Sequence, residues 1–102
     1  MASVRGTTAV GTAYTTSETD IFSFQCNRNI RSGVFFSIYP TTAGTAKVYY
    51  KDPGGTFREH TSISCAANDL TWIHFPYPIS ETKMTYQATA TGGTLNAEGR
   101  GY

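Results

Sequence analysis

The sequence predicts an all-β sandwich, and three observations predict it. Every apolar run is strand-length. Within the runs, apolar residues recur with a period of two, the spacing that puts one face of a strand inward. Turn residues break the chain at roughly 8–12-residue intervals, as in small sandwiches and barrels. No stretch has the length and 3.6-residue period of an amphipathic helix. The expected architecture is one antiparallel β-sandwich of seven to eight short strands over residues 1–102, jelly-roll-like or immunoglobulin-like.

The elements follow in order. A Thr-, Ala- and Gly-rich strand within Arg5–Tyr14 has few large residues, which suits an edge strand or an N-terminal arm over residues 1–13. Asp20–Cys26 alternates, with Phe22, Phe24 and Cys26 on one side, and the loop Asn27–Arg31 follows. Gly33–Tyr39 places Val34, Phe36 and Ile38 opposite Phe35, Ser37 and Tyr39, and is expected to stop at Pro40, which lacks a ladder donor. Thr45–Lys51 sets Ala46, Val48 and Tyr50 against Lys47, Tyr49 and Lys51. Asp52-Pro53-Gly54-Gly55 is the strongest turn signal, because Pro presets the first central turn position and Gly54 is expected to supply a positive φ at the second. It makes a hairpin with a strand that leaves through Phe57 and runs on to Cys65. Leu70–Phe75 is the next strand, ended by Pro76-Tyr77-Pro78. Glu81–Ala90 alternates Met84, Tyr86 and Ala88 against Lys83, Thr85 and Gln87. After Gly92-Gly93, a short strand Thr94–Ala97 precedes a flexible C-terminal tail, residues 96–102 overlapping its end. The expected core is Phe22, Phe24, Val34, Phe36, Ile38, Val48, Tyr50, Phe57, Ile63, Ile73, Phe75, Met84 and Tyr86.

Composition narrows the function. Charged residues are 15% of the chain and the formal net charge is +1. The exterior must instead be covered by 17 Thr and 8 Ser, a surface compatible with a protein that packs against neighbours. The eight basic residues are scattered, whereas nucleic-acid binders concentrate positive charge on one face. Nucleic acid is therefore not an expected partner. No apolar stretch approaches the ~20 residues of a membrane-spanning helix, and residues 1–8 lack the apolar region of a signal peptide. The chain is expected to be made and kept in a cytosol, with Cys26 and Cys65 reduced.

Catalytic and metal motifs are missing from the sequence. His60 and His74 have no Cys or acidic residues at zinc spacing; the expectation is a surface His60 and a partly buried, hydrogen-bonded His74. No serine stands in a Gly-x-Ser-x-Gly elbow. The Gly-rich segments open no helix, so they read as turns and not as phosphate loops. No cofactor, no metal and no enzymatic activity are expected. The side chains left for contact are Tyr39, Tyr49, Trp72 and Tyr77, which point away from the core if their neighbours point in, with Arg100 and Tyr102 in the tail. Exposed aromatics on a sheet fill partner pockets or stack on sugars.

Two segments resemble a known kind of protein. Val48-Tyr49-Tyr50-Lys51-Asp52-Pro53-Gly54-Gly55-Thr56-Phe57 is similar to the hairpin of small β-sandwich virion proteins of tailed bacteriophages. Residues 86–102, with an alternating strand, the Gly92-Gly93-Thr94 turn and a small-residue strand, are similar to the ends of such proteins. The resemblance spans roughly residues 20–102. It implies a structural virion protein, a capsid decoration or cement protein or a minor head or tail component, with no catalytic residues. The implied partner is the major capsid protein or another virion protein, and the implied state is a homo-oligomer, a trimer suiting capsid three-fold positions. The alternative is a carbohydrate-binding or receptor-binding tail domain, carried by Trp72 and the spare tyrosines.

Overall fold

A computed structural model describes residues 6–25, 32–78 and 81–102. Eight strands are present: β1 Gly6–Ala13, β2 Thr19–Gln25, β3 Val34–Pro40, β4 Gly44–Lys51, β5 Phe57–Cys65, β6 Thr71–Phe75, β7 Glu81–Ala88 and β8 Thr94–Gly101. They form two four-stranded antiparallel sheets, in the orders β1-β8-β3-β6 and β2-β7-β4-β5. Strand one pairs with eight, two with seven, three with six and four with five. The chain is thus one long hairpin folded back on itself. The added pairs β8·β3 and β7·β4 weld it into two sheets. This nesting is a jelly roll, which settles the choice left open between jelly-roll and immunoglobulin arrangements.

Period-two patterning fills the space between the sheets. Val34, Phe36, Ile38, Val48, Ile73, Phe75, Met84 and Tyr86 are all buried, with Phe22, Tyr50 and Ile63 packed against them. Of Phe24 only the strand position is described. Phe57 departs from expectation. On β5, Thr61 faces Val48 but Glu59 faces Tyr49, so His60 is an extra residue in the ladder. A bulge shifts the alternation by one residue. Phe57 therefore turns to the outer face, where the Lys51 and Lys83 ammonium groups lie 5.1 and 4.9 Å from its ring centroid. The same bulge aims His60 at the neighbouring sheet: its ring meets Phe75 edge-on at 4.7 Å, and its Nε2–H donates to the His74 carbonyl at 3.3 Å.

The last strand is the main correction. The expected tail, residues 96–102, is most of β8, a central strand between β1 and β3. The main chain of Tyr102 continues the pairing, its N–H donating to Gly33 O and its carbonyl accepting from Ser32 N. The inward side chains of β8 are Leu95 and Ala97, then Gly99 and Gly101, all buried. At Gly99 rings occupy the space a side chain would need. Phe22 and Phe36 stack at 6.3 Å, and a Cβ on Gly99 would meet both at 3.3 Å. Likewise the expected arm is, over Gly6–Ala13, a strand paired to β8, bulged at Val10-Gly11 where Gly11 takes a φ of 62°. Residues 1–5 lie outside the described residues. Pro40 does not stop β3 one residue early: it is the last β3 residue, opposite Leu95, and is buried.

Tyr14 was not foreseen as core. It is buried at one end of the sandwich with its ring edge-on to Tyr86 at 5.0 Å. Its hydroxyl accepts from Thr42 N at 2.9 Å, while the Tyr86 hydroxyl donates to Thr42 O at 2.6 Å. Cys65 is a buried free thiol, and burial pushes its pKa up. It sits opposite Gly44, which pairs with Ala88, whereas Gln25 pairs with Glu81 at the other end of β7. Cys26 itself lies outside the described residues.

One buried group is left unpaired. Thr82 is fully buried on β7, and its hydroxyl has no hydrogen-bond partner among the described residues. An unsatisfied buried hydroxyl costs about 1–3 kcal/mol. Thr82→Val keeps the shape and removes the hydroxyl. It is expected to raise stability by about 1 kcal/mol, read as a higher urea midpoint at unchanged slope. A comparable loss would show that the hydroxyl has found a partner.

Candidate interaction face

The two outer faces of the sandwich are chemically opposite. The β2-β7-β4-β5 face is laced with ion pairs across strands: Lys47–Glu59 at 3.5 Å, Lys51–Glu81 at 3.1 Å and Lys83–Asp20 at 3.7 Å. Its aromatic rings lie under ammonium groups, Lys83 being 5.1 Å from the Tyr49 ring centroid. Glu18, from the β1–β2 connection, accepts from the Tyr49 hydroxyl and from Thr85 Oγ1, the latter at 2.6 Å. The Thr85 bond, then the Tyr49 bond, holds the Glu18 carboxyl below its usual range. Burial first, and then the Glu18 bond, pushes the Tyr49 phenol up to about 12. Tyr49 therefore stays neutral and tethers the connection to the sheet. It belongs to this hydrated face and not with the other contact candidates.

The β1-β8-β3-β6 face carries two ionised residues in its strands, Glu98 and Arg100, paired with each other at 3.3 Å. Register arranges its outward side chains in rows across the strands. One row runs Gly6, Arg100, Phe35, His74. The next runs Thr8, Glu98, Ser37, Trp72. A third begins with Asn96 and Tyr39. Phe35 stacks on His74 at 4.2 Å and on Tyr102 at 5.2 Å. The Tyr102 hydroxyl hydrogen-bonds His74 Nε2 at 2.5 Å. Trp72 is 61% exposed, and Phe35, Tyr39, Leu70 and Val10 are also exposed. An open groove of about 340 Å³ runs between Thr8 and Val10 on one wall and Tyr39 and Leu70 on the other, with Asn96 between them.

Four of the six sequence candidates thus come together: Tyr39, Trp72, Arg100 and Tyr102. Tyr77 lies just past β6, exposed, with its ring edge-on to Phe75 at 5.4 Å. Sequence reasoning did not single out Phe35, His74 and Glu98. Alternation in β3 already pointed Phe35 outward beside Tyr39, but only the register with β6 and β8 joins them to Trp72 and Arg100. His74 is exposed on this face instead of partly buried, because Ile73 and Phe75 take the inward positions of β6. Contiguous exposed apolar surface rimmed by polar groups marks an interaction site. Among the described residues, no group of three His, Cys, Asp or Glu side chains could hold a metal ion.

The Glu18 tether has a pH signature. A carboxyl whose pKa is lowered on folding adds stability above its unfolded pKa and loses it as pH falls through the folded value. Glu18→Gln is therefore expected to lower stability near neutral pH, by less than about 1 kcal/mol because the carboxylate is solvent-exposed. The gap from wild type should close in acid. Urea midpoints across the acid range check this; a gap that widens in acid would contradict it.

No protein-family model and no curated protein sequence matches this chain. Solved structures do. The SPBc2 prophage-derived protein YomS matches at a TM-score of 0.57 and 12% identity, over 98% of this chain and 96% of that one. The Yersinia pseudotuberculosis-derived mitogen matches at 0.57 and 12% identity, over 99% and 86%. The Tobacco streak virus coat protein matches at 0.50 and 9% identity, over 97% and 86%. At such identities the likeness is one of fold, and the fold is an all-β jelly-roll sandwich shared with viral coat and prophage proteins.

Proposed function

We propose that this chain is a structural virion protein of a tailed phage, a decoration or cement protein that binds the capsid surface as a homo-oligomer. It works through the surfaces it offers and not through catalysis. The observation that carries the reading is the asymmetry of the sandwich: one outer face closed by its own ion pairs, the other aromatic and carrying a single pair of opposite charges. An exposed apolar patch rimmed by polar groups is commonly an interaction surface. The resemblance of the 48–57 hairpin and the C-terminal strand to phage sandwich proteins supports the same reading, as does the fold likeness to a prophage-derived protein and a coat protein. Mass spectrometry of virions purified from the phage that encodes the chain is expected to find it in many copies per particle. Its absence would overturn the reading.

A second reading, a carbohydrate-binding or receptor-binding tail domain, is favoured by the open indole of Trp72 beside polar Ser37 and Glu98. Under it, a glycan array probed with wild type and Trp72→Ala should show sugar binding that the variant loses. A blank array for wild type at high concentration removes this reading.

A further inference from the structure

We infer that the aromatic β1-β8-β3-β6 face docks on the same face of a second copy of this chain, about a two-fold axis crossing β8 at Gly99. The inference rests on the structural-protein reading and names the first partner of that face.

The rows of side chains select the arrangement. A two-fold relating two stacked faces lies in the plane between them. Run across the strands midway between residues 98 and 100, it exchanges adjacent rows. The row Arg100, Phe35, His74 of one protomer then covers the row Glu98, Ser37, Trp72 of the other, and the reverse. Each meeting is complementary. Arg100 faces Glu98 of the partner subunit, so the two charges of each face are matched twice. The Phe35 ring descends on the gap at Ser37, the small residue between Phe35 and Tyr39. The imidazole of His74 meets the indole of Trp72. An axis moved to residue 98 would set glutamate on glutamate, and one moved to residue 100 would set arginine on arginine. Like charges facing across an interface suppress that pairing. A face with one charge of each sign, placed two residues apart, is self-complementary about one position, as an isologous dimer requires.

The size of the face sets the strength of the contact. Four strands at ~4.8 Å spacing and about 20 Å of length give a flat footprint of roughly 400 Å² per copy. That is below the ~800 Å² per partner of ordinary specific interfaces and within the range of weak, transient ones. Such an interface gives a reversible dimer with a dissociation constant of about 1–100 μM. The opposite face offers fewer free rings, because its aromatic side chains already lie under ammonium groups of the same protomer.

Sedimentation of the full chain over a wide concentration range tests the inference. Wild type is expected to show a monomer–dimer equilibrium. Arg100→Glu or Glu98→Arg alone should weaken it at least tenfold, since each makes the face uniformly charged. The double variant E98R/R100E should restore it to within about threefold, and an equimolar mixture of the two single variants should form a heterodimer. Both side chains are substantially exposed, and circular dichroism confirms that each variant is folded. Wild type that stays monomeric throughout, an oligomer indifferent to the single changes, or a mixture that does not associate would each overturn the inference. The outcome is separable from the virion reading. A monomer abundant in virions sinks the dimer alone, and a charge-controlled dimer absent from virions sinks the virion role alone.

Discussion

The pairing of β8 with both β1 and β3 is the constraint on which the rest of the molecule depends. Without it β1 has no ladder partner, and β3-β6 is a two-stranded ribbon with one side exposed. With it, residues at the two ends of the chain become neighbours, Gly6 opposite Arg100 and Thr12 opposite Leu95. The cost is loop-closure entropy, since these contacts span nearly the whole chain. What offsets it is the interior that β8 completes, where Phe22 and Phe36 stack over a strand reduced to glycine. Topology of this kind folds slowly, because few contacts reward the chain before the distant ones form.

Much of the fold was legible because periodicity and turn chemistry act locally. Val34, Phe36 and Ile38 announce the inward side of β3 by spacing alone. The Asp52–Gly55 turn announces itself by chemistry: Asp52 O accepts from Gly55 N and Asp52 Oδ1 accepts from Thr56 N, though the positive φ, 87°, falls on Gly55, one residue later than the expected Gly54. What was not legible depends on partners far away in sequence. Glu98-Gly99-Arg100-Gly101 looks like a loose tail because its inward residues lack side chains, and only Phe22 across the sandwich and Phe36 on the neighbouring strand explain the lack at Gly99. Phe57 follows the alternation on paper and leaves it in three dimensions, because a one-residue bulge at His60 is invisible to a period count. Tyr14 lies outside any strand, so no periodicity could place it in the core.

The candidate face was half legible for the same reason. Tyr39, Trp72 and Tyr102 stand out as aromatics in outward or terminal positions, but their assembly into one surface is a property of register. Tyr49 shows the limit of counting exposed aromatics: its ring and hydroxyl are consumed by Lys83 and Glu18. The useful contrast lies between the faces. One sheet neutralises its own charges across strands, and the other gathers rings around a single Arg–Glu pair.

The bulge that carries His60 has a consequence for how this molecule can polymerise. β6 is a sheet border whose outward carbonyl at His74 is already occupied by the imidazole from β5. The opposite border, β1, is bent by its own bulge at Val10-Gly11. Borders blunted in this way resist the edge-to-edge strand addition that builds fibrils. A sheet bordered in this way is a poor template for open-ended ribbons of paired strands.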